Sequence, residues 1–512
     1  MTDAIAQPPS ASRPAAGSVE RALDRRGPLA ERYAPAVALV LLALTPYLAL
    51  TTAYPAVESL IGADLGITTR GLSLASGMAN AAYSFGAVLA VQLASKLPSR
   101  RLLVVYAVLF VLGTVLAAWA PVPGFFFAGH VIQGLATGLM LIGAVPPLIT
   151  RFGLDKLPKT AVVMNLGLFG AIALGPVIGG AAAGADDWRV MFWIVGGLGL
   201  GALAFALLTY EDQPPDDPEA PWDVIALTLS ALGCALLFFG VAELNDRRAY
   251  ELLVLGPVLA GLALIVILLV HQYKSEDPLI PVRKLVHTIP VAAIIAAMAA
   301  GSASVVLSQL AQQALTLRGV SPNHAGMLFW PEFGAAFVAA LIFGRVLLKG
   351  YAPALAFGGL LLLGGAAAIL SGAASGPDSL VLVGSGVAGF GVGSCVAPAM
   401  FSAGFSMPQR DLPRVFAIVE LLRGVAAFLV APAVLILTET ATTSPAVGLR
   451  TGMWIAMGIA LGGAIVAGAI YLLGRPGLPK PDPEPWFEGE DTAVHSPPLF
   501  ARLRGGSNDG SR

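Results

Sequence analysis

The 512-residue chain is 56% hydrophobic and only 12% charged, with 59 glycines, 38 prolines and a mean hydropathy of +0.79. A water-soluble fold carries about 25% charge, so a soluble globular protein is excluded. The net charge of −1 shows no nucleic-acid footprint, and two cysteines in apolar stretches, Cys234 and Cys395, exclude a disulfide framework and a zinc site.

The charges are segregated. Residues 1–33 and 475–512 hold 20 of the 61 charged side chains, and the 441 residues between them hold 41, about 9%. This is the pattern of an all-α polytopic membrane protein with two soluble tails. A bilayer core needs about 20 apolar residues as helix. Fourteen segments meet that length, at 34–55, 72–94, 101–120, 124–149, 161–184, 190–209, 223–242, 251–271, 288–311, 325–346, 351–371, 379–403, 413–438 and 451–474. Residues 1–33, rich in Pro, Ala, Ser and Arg, precede a full span and show no cleavable signal pattern. The organisation expected is an N-terminal tail, a six-helix unit at 34–209, two linker helices with flanking loops at 210–287, a second six-helix unit at 288–474, and a disordered tail at 475–512.

Lys and Arg set orientation. With both termini in the cytoplasm, inner segments hold 23 basic residues and outer loops six: Arg70, Arg189, Arg247, Arg248, Arg318 and Arg450. The loop at 210–222 is the exception, with five acids and no base. Acids weigh little in topology. The location expected is the plasma (cell inner) membrane.

The fifth segment contains Gly170-Ala-Ile-Ala-Leu-Gly175-Pro176-Val-Ile-Gly179-Gly180 and leads to Asp187-Trp188-Arg189 and Phe192. Gly175 with Gly179, and Gly180 with Gly184, make two small-residue faces that let helix backbones approach. Pro176 removes an intrahelical hydrogen bond. Helix packing alone explains a lone pair of such glycines. The full string resembles the antiporter motif of exporters of the major facilitator superfamily. In the fourth segment, His130-Val-Ile-Gln133-Gly134 resembles that family's Arg-x-x-Gln-Gly motif, with His130 at the arginine position. The resemblance implies a role in proton transfer. Histidine titrates near neutrality where arginine does not, and a hydrogen-bonded packing histidine fits equally.

Leu93-Ala-Ser95-Lys96-Leu-Pro98-Ser-Arg100-Arg101 stands where the family carries a charged latch, with Ser95 in place of its acid and Pro98 in place of a glycine. Thr51-Thr-Ala-Tyr-Pro55 resembles the end of the first helix in fourteen-span drug:H⁺ antiporters, with Pro46 where an intramembrane Asp often stands. Glu276–Pro281, and Leu317-Arg318-Gly319-Val320-Ser321-Pro322 leading to Gly326 and Pro331, resemble later family stretches. The resemblance runs from about residue 34 to 474. It implies two six-helix bundles plus two extra central helices, a small-molecule substrate held between the bundles, and proton exchange.

Ionisable groups inside spans cost at least about 2.5–3.5 kcal/mol at a helix centre, which makes them functional candidates. His130, Glu332, Glu420 and Arg423 qualify. Glu420 and Arg423, at i and i+3, share a helix face and can pair. The pair is either a gate broken by protonation or a static lock. Glu332 follows Pro331 near the outer third of its span; it is either a lone proton carrier or a side chain that snorkels outward or bonds Trp330. Asn80, Tyr83, Gln133, Asn165, Gln309, Gln312 and Gln313 either line a substrate path or bond neighbouring helices. No catalytic cluster, metal site or cofactor motif is present, so the expectation is a transporter rather than an enzyme, monomeric, with the bilayer, a small molecule and protons as partners. The alternative is an uncoupled or differently coupled metabolite carrier of the same fold.

Overall fold

The computed structural model describes residues 27–504 except 212–214, 216, 442–443, 479 and 490. Most of the tail expected at 1–33, the end of that at 475–512, and Asp212 and Asp216 of the acidic loop lie outside the described residues. Fourteen helices are long and apolar enough to cross a membrane. They are α1 (Tyr33–Leu65), α2 (Thr69–Lys96), α3 (Ser99–Ala118), α4 (Pro123–Thr150), α5 (Leu157–Gly184), α6 (Trp188–Thr209), α7 (Val224–Asn245), α8 (Leu252–Lys274), α9 (Thr288–Leu317), α10 (Pro322–Lys349), α11 (Ala352–Leu370), α12 (Asp378–Phe405), α13 (Gln409–Thr438) and α14 (Pro445–Gly474). Several run past the lengths read from hydropathy. α1 continues ten residues beyond Pro55 because Pro46 and Pro55 are absorbed within the helix.

Helix pairing repeats with an offset of eight. In the first half α1 packs on α5 and α6, α4 on α2 and α3, and α3 on α6; in the second half α9 packs on α13 and α14, α12 on α10 and α11, and α11 on α14. The two bundles meet through α2 against α13 and α5 against α10, pairs that exchange under the same offset. This is the arrangement of two repeats about an axis between them. The hairpin α7–α8 lies outside it, with α7 against α2 and α13 and α8 held by α7. At the turn between α7 and α8 the buried Glu243 pairs with Arg70 of α2 and with Arg247.

The α2–α3 loop, with Ser95 where the resembled motif has an acid, bonds backbone carbonyls. Lys96 donates to the Pro218 and Ala220 carbonyls, and Arg100 to that of Leu207 at 2.9 Å. Lys96 thus ties α2 to the start of the linker, and Arg100 ties α3 to the end of α6, each through carbonyl oxygens.

The C-terminal segment departs from the expected disorder. Trp486, in a helical turn at Pro483–Phe487, is fully buried against Phe405, and its indole N–H donates to the Met407 carbonyl at 2.8 Å. The Thr288 amide donates to Pro497 and the Ile289 amide to the Ser496 hydroxyl, so the segment satisfies the first N–H groups of α9. Composition could not show this, because one buried tryptophan outweighs many Pro and Gly residues.

Candidate functional site

The interface between the bundles starts with α5. Pro176 has no N–H, which orphans the Ile172 carbonyl one turn earlier. The Thr52 hydroxyl of α1 donates to that carbonyl at 2.6 Å. Gly175 and Gly179 lie on the backbone of α1 around Ala49 and Ala53, leaving no room for a side chain. Gly180 faces the other way: a Cβ there would come 2.8 Å from the Gly326 Cα of α10. One motif therefore packs α5 within its own bundle and across to the other. At the opposite end of α5, a Cβ on Gly344 of α10 would lie 2.9 Å from the Pro158 carbonyl. The α5–α10 contact is thus tight at both membrane faces.

Between these seals lies the charge cluster. Arg423 of α13 reaches Glu420 with its Nε 3.1 Å from both carboxylate oxygens. The Tyr83 hydroxyl of α2 donates to Glu420 Oε2 at 3.0 Å, across the bundle interface. A π-turn at Leu166–Gly170 sets the Phe169 ring of α5 beneath the Arg423 guanidinium, 5.6 Å from its centroid. Gly301 of α9 leaves room for the Arg423 stem. Such turns recur at functional sites because they re-aim side chains.

α10 is broken at Leu328–Phe329, and Glu332 stands in the first turn of its second piece. By helix rise it lies about 15 Å along the span from Pro322, about a third of the way into α10. It does not snorkel: it is 3% exposed, and Trp330 donates instead to the Met327 sulfur. No hydrogen bond or ion pair reaches its carboxyl among the described residues. Glu332 and Arg423 line one cavity of about 10 Å³ with Phe169, Ile172, Ser304 and Val392, barely the space of one water. Three buried oxygens on the facing helices, Ser84 Oγ, Asn165 Oδ1 and Ser394 Oγ, have no hydrogen-bond partner among the described residues.

The structure brings together Glu332, Glu420, Arg423 and Tyr83. Asn165 of α5 donates to the Gly393 carbonyl of α12 at 2.7 Å. It does not bring in His130, whose ring stacks between Tyr54 and Phe126 at 5.5 and 5.7 Å, deep in the first bundle. His130 Nδ1 lies 3.0 Å from Gln133 Oε1, and Gln133 donates to Thr114 at 2.8 Å. Asn80 accepts from Tyr47, Gln312 bonds back to Ser308 on α9, and Gln309 is half-buried on that helix. Sequence reasoning missed Phe169 and Glu243. The acid at the end of an apolar run was a visible signal for Glu243, whereas an apolar ring under a distant arginine left none.

A family model described as Major Facilitator Superfamily matches residues 39–297. An uncharacterized MFS-type transporter of Bacillus subtilis, YubD, is 26% identical over 59% of this chain and 60% of its own. A multidrug resistance protein B homolog of Mycobacterium tuberculosis is 26% identical over 63% of this chain and 60% of its own. The chain therefore spans about 60% of the length of these relatives. Among solved structures, a POT family transporter in complex with a thioalcohol-conjugated peptide aligns with a TM-score of 0.64 at 13% identity, over 88% of this chain and 99% of that one. The human organic anion transporter MFSD10 aligns at 0.59 with 16% identity, over 85% and 99%. At these identities the likeness establishes the fold.

Proposed function

Because the chain belongs to the major facilitator superfamily, as a fourteen-helix member, we propose that it is a secondary active transporter that exports small amphipathic molecules in exchange for protons. The observation that carries this reading is the buried acid–base cluster at the junction of the two bundles. Glu332 is a carboxyl without a partner, held beside a cation in a space too small for more than one water. Neutralising it removes the cost of burying its charge, so a proton on Glu332 favours the closed interface, and losing it favours an opened and hydrated one. Glu420, shared by Arg423 and Tyr83, is the second proton acceptor, and its protonation would release Tyr83 and loosen α2 from α13. Ser84, Asn165 and Ser394 gain partners when the interface opens to water or substrate. A proton moving down 100 mV supplies about 2.3 kcal/mol, enough to bias such an equilibrium about fiftyfold. The names of several relatives support drug-like cargo, and the basic-residue count supports both termini in the cytoplasm.

An uncoupled carrier is the second reading. It is favoured by Pro46 at the position of the first-span acid and by the closed ion pair that occupies Glu420.

The test is proton release from detergent-purified protein on addition of lipophilic cations and antibiotics. Release in wild type that vanishes in Glu332→Gln or Glu420→Gln identifies the coupling carboxylate. Binding without release removes the antiport reading and leaves the uncoupled carrier.

A further inference from the structure

A second cavity lies away from this site, in the second bundle. It has a volume of about 290 Å³ and is walled by Ala293 of α9, Phe357 and Leu360 of α11 and Leu472 of α14, with Leu478 of the C-terminal segment at its edge. It sits at the ends of these helices nearest the C-terminal segment. Phe357, Leu472 and Leu478 are 44%, 70% and 56% exposed, so the cavity opens sideways, towards lipid. Its two polar side chains are already occupied: the Ser402 hydroxyl donates to the Pro398 carbonyl at 2.7 Å, and that of Tyr471 to Gly477 at 2.7 Å. Nothing inside is left to recognise a polar ligand, so the buried part of an occupant must be hydrocarbon.

The rim has the opposite character. Lys349 immediately precedes the turn into α11, Arg475 caps α14, and Lys480 follows Leu478. All three are exposed, and none has an ion-pair partner among the described residues. No acid occurs in 345–377 or in 465–481, and the next along the chain, the exposed Asp482, forms no ion pair with these three among the described residues. The chain thus presents a dry slot beside an edge of three cations free of direct ion pairs, with Tyr471 between them as aromatic residues stand at a membrane interface. A neutral lipid would leave this charge unmatched, and a lipophilic cation would be repelled by it.

We infer that this cavity is a binding site for an anionic phospholipid, one acyl chain in the slot and the phosphate against Arg475, Lys480 and Lys349. The leaflet is the one that faces the C-terminus, which is the cytoplasmic leaflet in the orientation proposed above. The site itself does not depend on transport activity. The docked C-terminal segment completes it, which gives that segment a role beyond capping α9.

Native mass spectrometry of the delipidated full-length protein tests this, with phosphatidylglycerol and phosphatidylcholine of identical chains as probes. A basic residue near the surface is worth about fivefold in affinity for an anionic lipid. Wild type is expected to prefer phosphatidylglycerol by about 25-fold or more. Arg475→Gln with Lys480→Gln should remove most of that preference while phosphatidylcholine binding persists. Ala293→Phe, which fills the slot, should abolish both. Gly468→Leu fills it from α14, and unfolding temperatures without lipid show which filled variant is folded. Equal binding of the two lipids by wild type overturns the inference, as does a preference that survives the charge substitutions, or lipid binding undiminished in a folded filled variant.

Discussion

Arg423 is held in the bundle interface by the Glu420 carboxylate and by the Phe169 ring. Removing one member of a buried ion pair strands the other and costs about 3–5 kcal/mol. Arg423→Leu should therefore lower the thermal unfolding temperature more than the double change Arg423→Leu with Glu420→Gln, because the second substitution removes the stranded charge. Scanning fluorimetry of the two single variants and the double variant measures this coupling. Additive effects would mean that the pair is hydrated and contributes little. Tyr83→Phe deletes one hydrogen bond to Glu420 and should cost about 1 kcal/mol. The spacing of Glu420 and Arg423 made the pair legible in the sequence. Tyr83 was legible only as a polar residue, since its partner lies 337 positions away and only the docking of α2 on α13 makes them neighbours.

At the scale of elements, α5 holds the interface together. Its proline creates an orphan carbonyl that Thr52 takes up, and its two glycine faces address different bundles. Gly180→Leu adds a side chain where the Gly326 backbone already sits, so it should prevent α5 and α10 from closing at this end. A cysteine at Ser304, buried beside Glu332 in wild type, reports this. Ser304→Cys should resist a membrane-impermeant maleimide alone and react when combined with Gly180→Leu. Cys234 and Cys395 are buried and contribute little background. Continued protection in the combined variant would show that this contact does not seal the interface. The glycine spacing announced close packing, but not which partner each face would take. That assignment needs the rotation of α5, which depends on every helix around it.

At the scale of the molecule, the bundles are related by an eight-helix offset in their pairing, and the C-terminal segment is built into the second. Trp486→Ala empties a fully buried site and strands the Met407 carbonyl, at a cost of about 3–5 kcal/mol. It should lower the unfolding temperature and speed amide exchange at Ile289, whose N–H bonds Ser496. Unchanged exchange there would mean that the segment rests on the bundle without capping α9.

Hydrophobic length and charge placement by themselves determined that this chain is a fourteen-helix membrane protein, and local motifs identified its superfamily. These properties are carried by contiguous residues: a bilayer reads each span by its own length and apolarity. Tertiary structure alone decided the pairing of Tyr83 with Glu420, the isolation of Glu332, the enclosure of His130 by aromatic rings and the burial of Trp486. Each is a contact between segments far apart in the chain, and its energy depends on what the fold brings alongside.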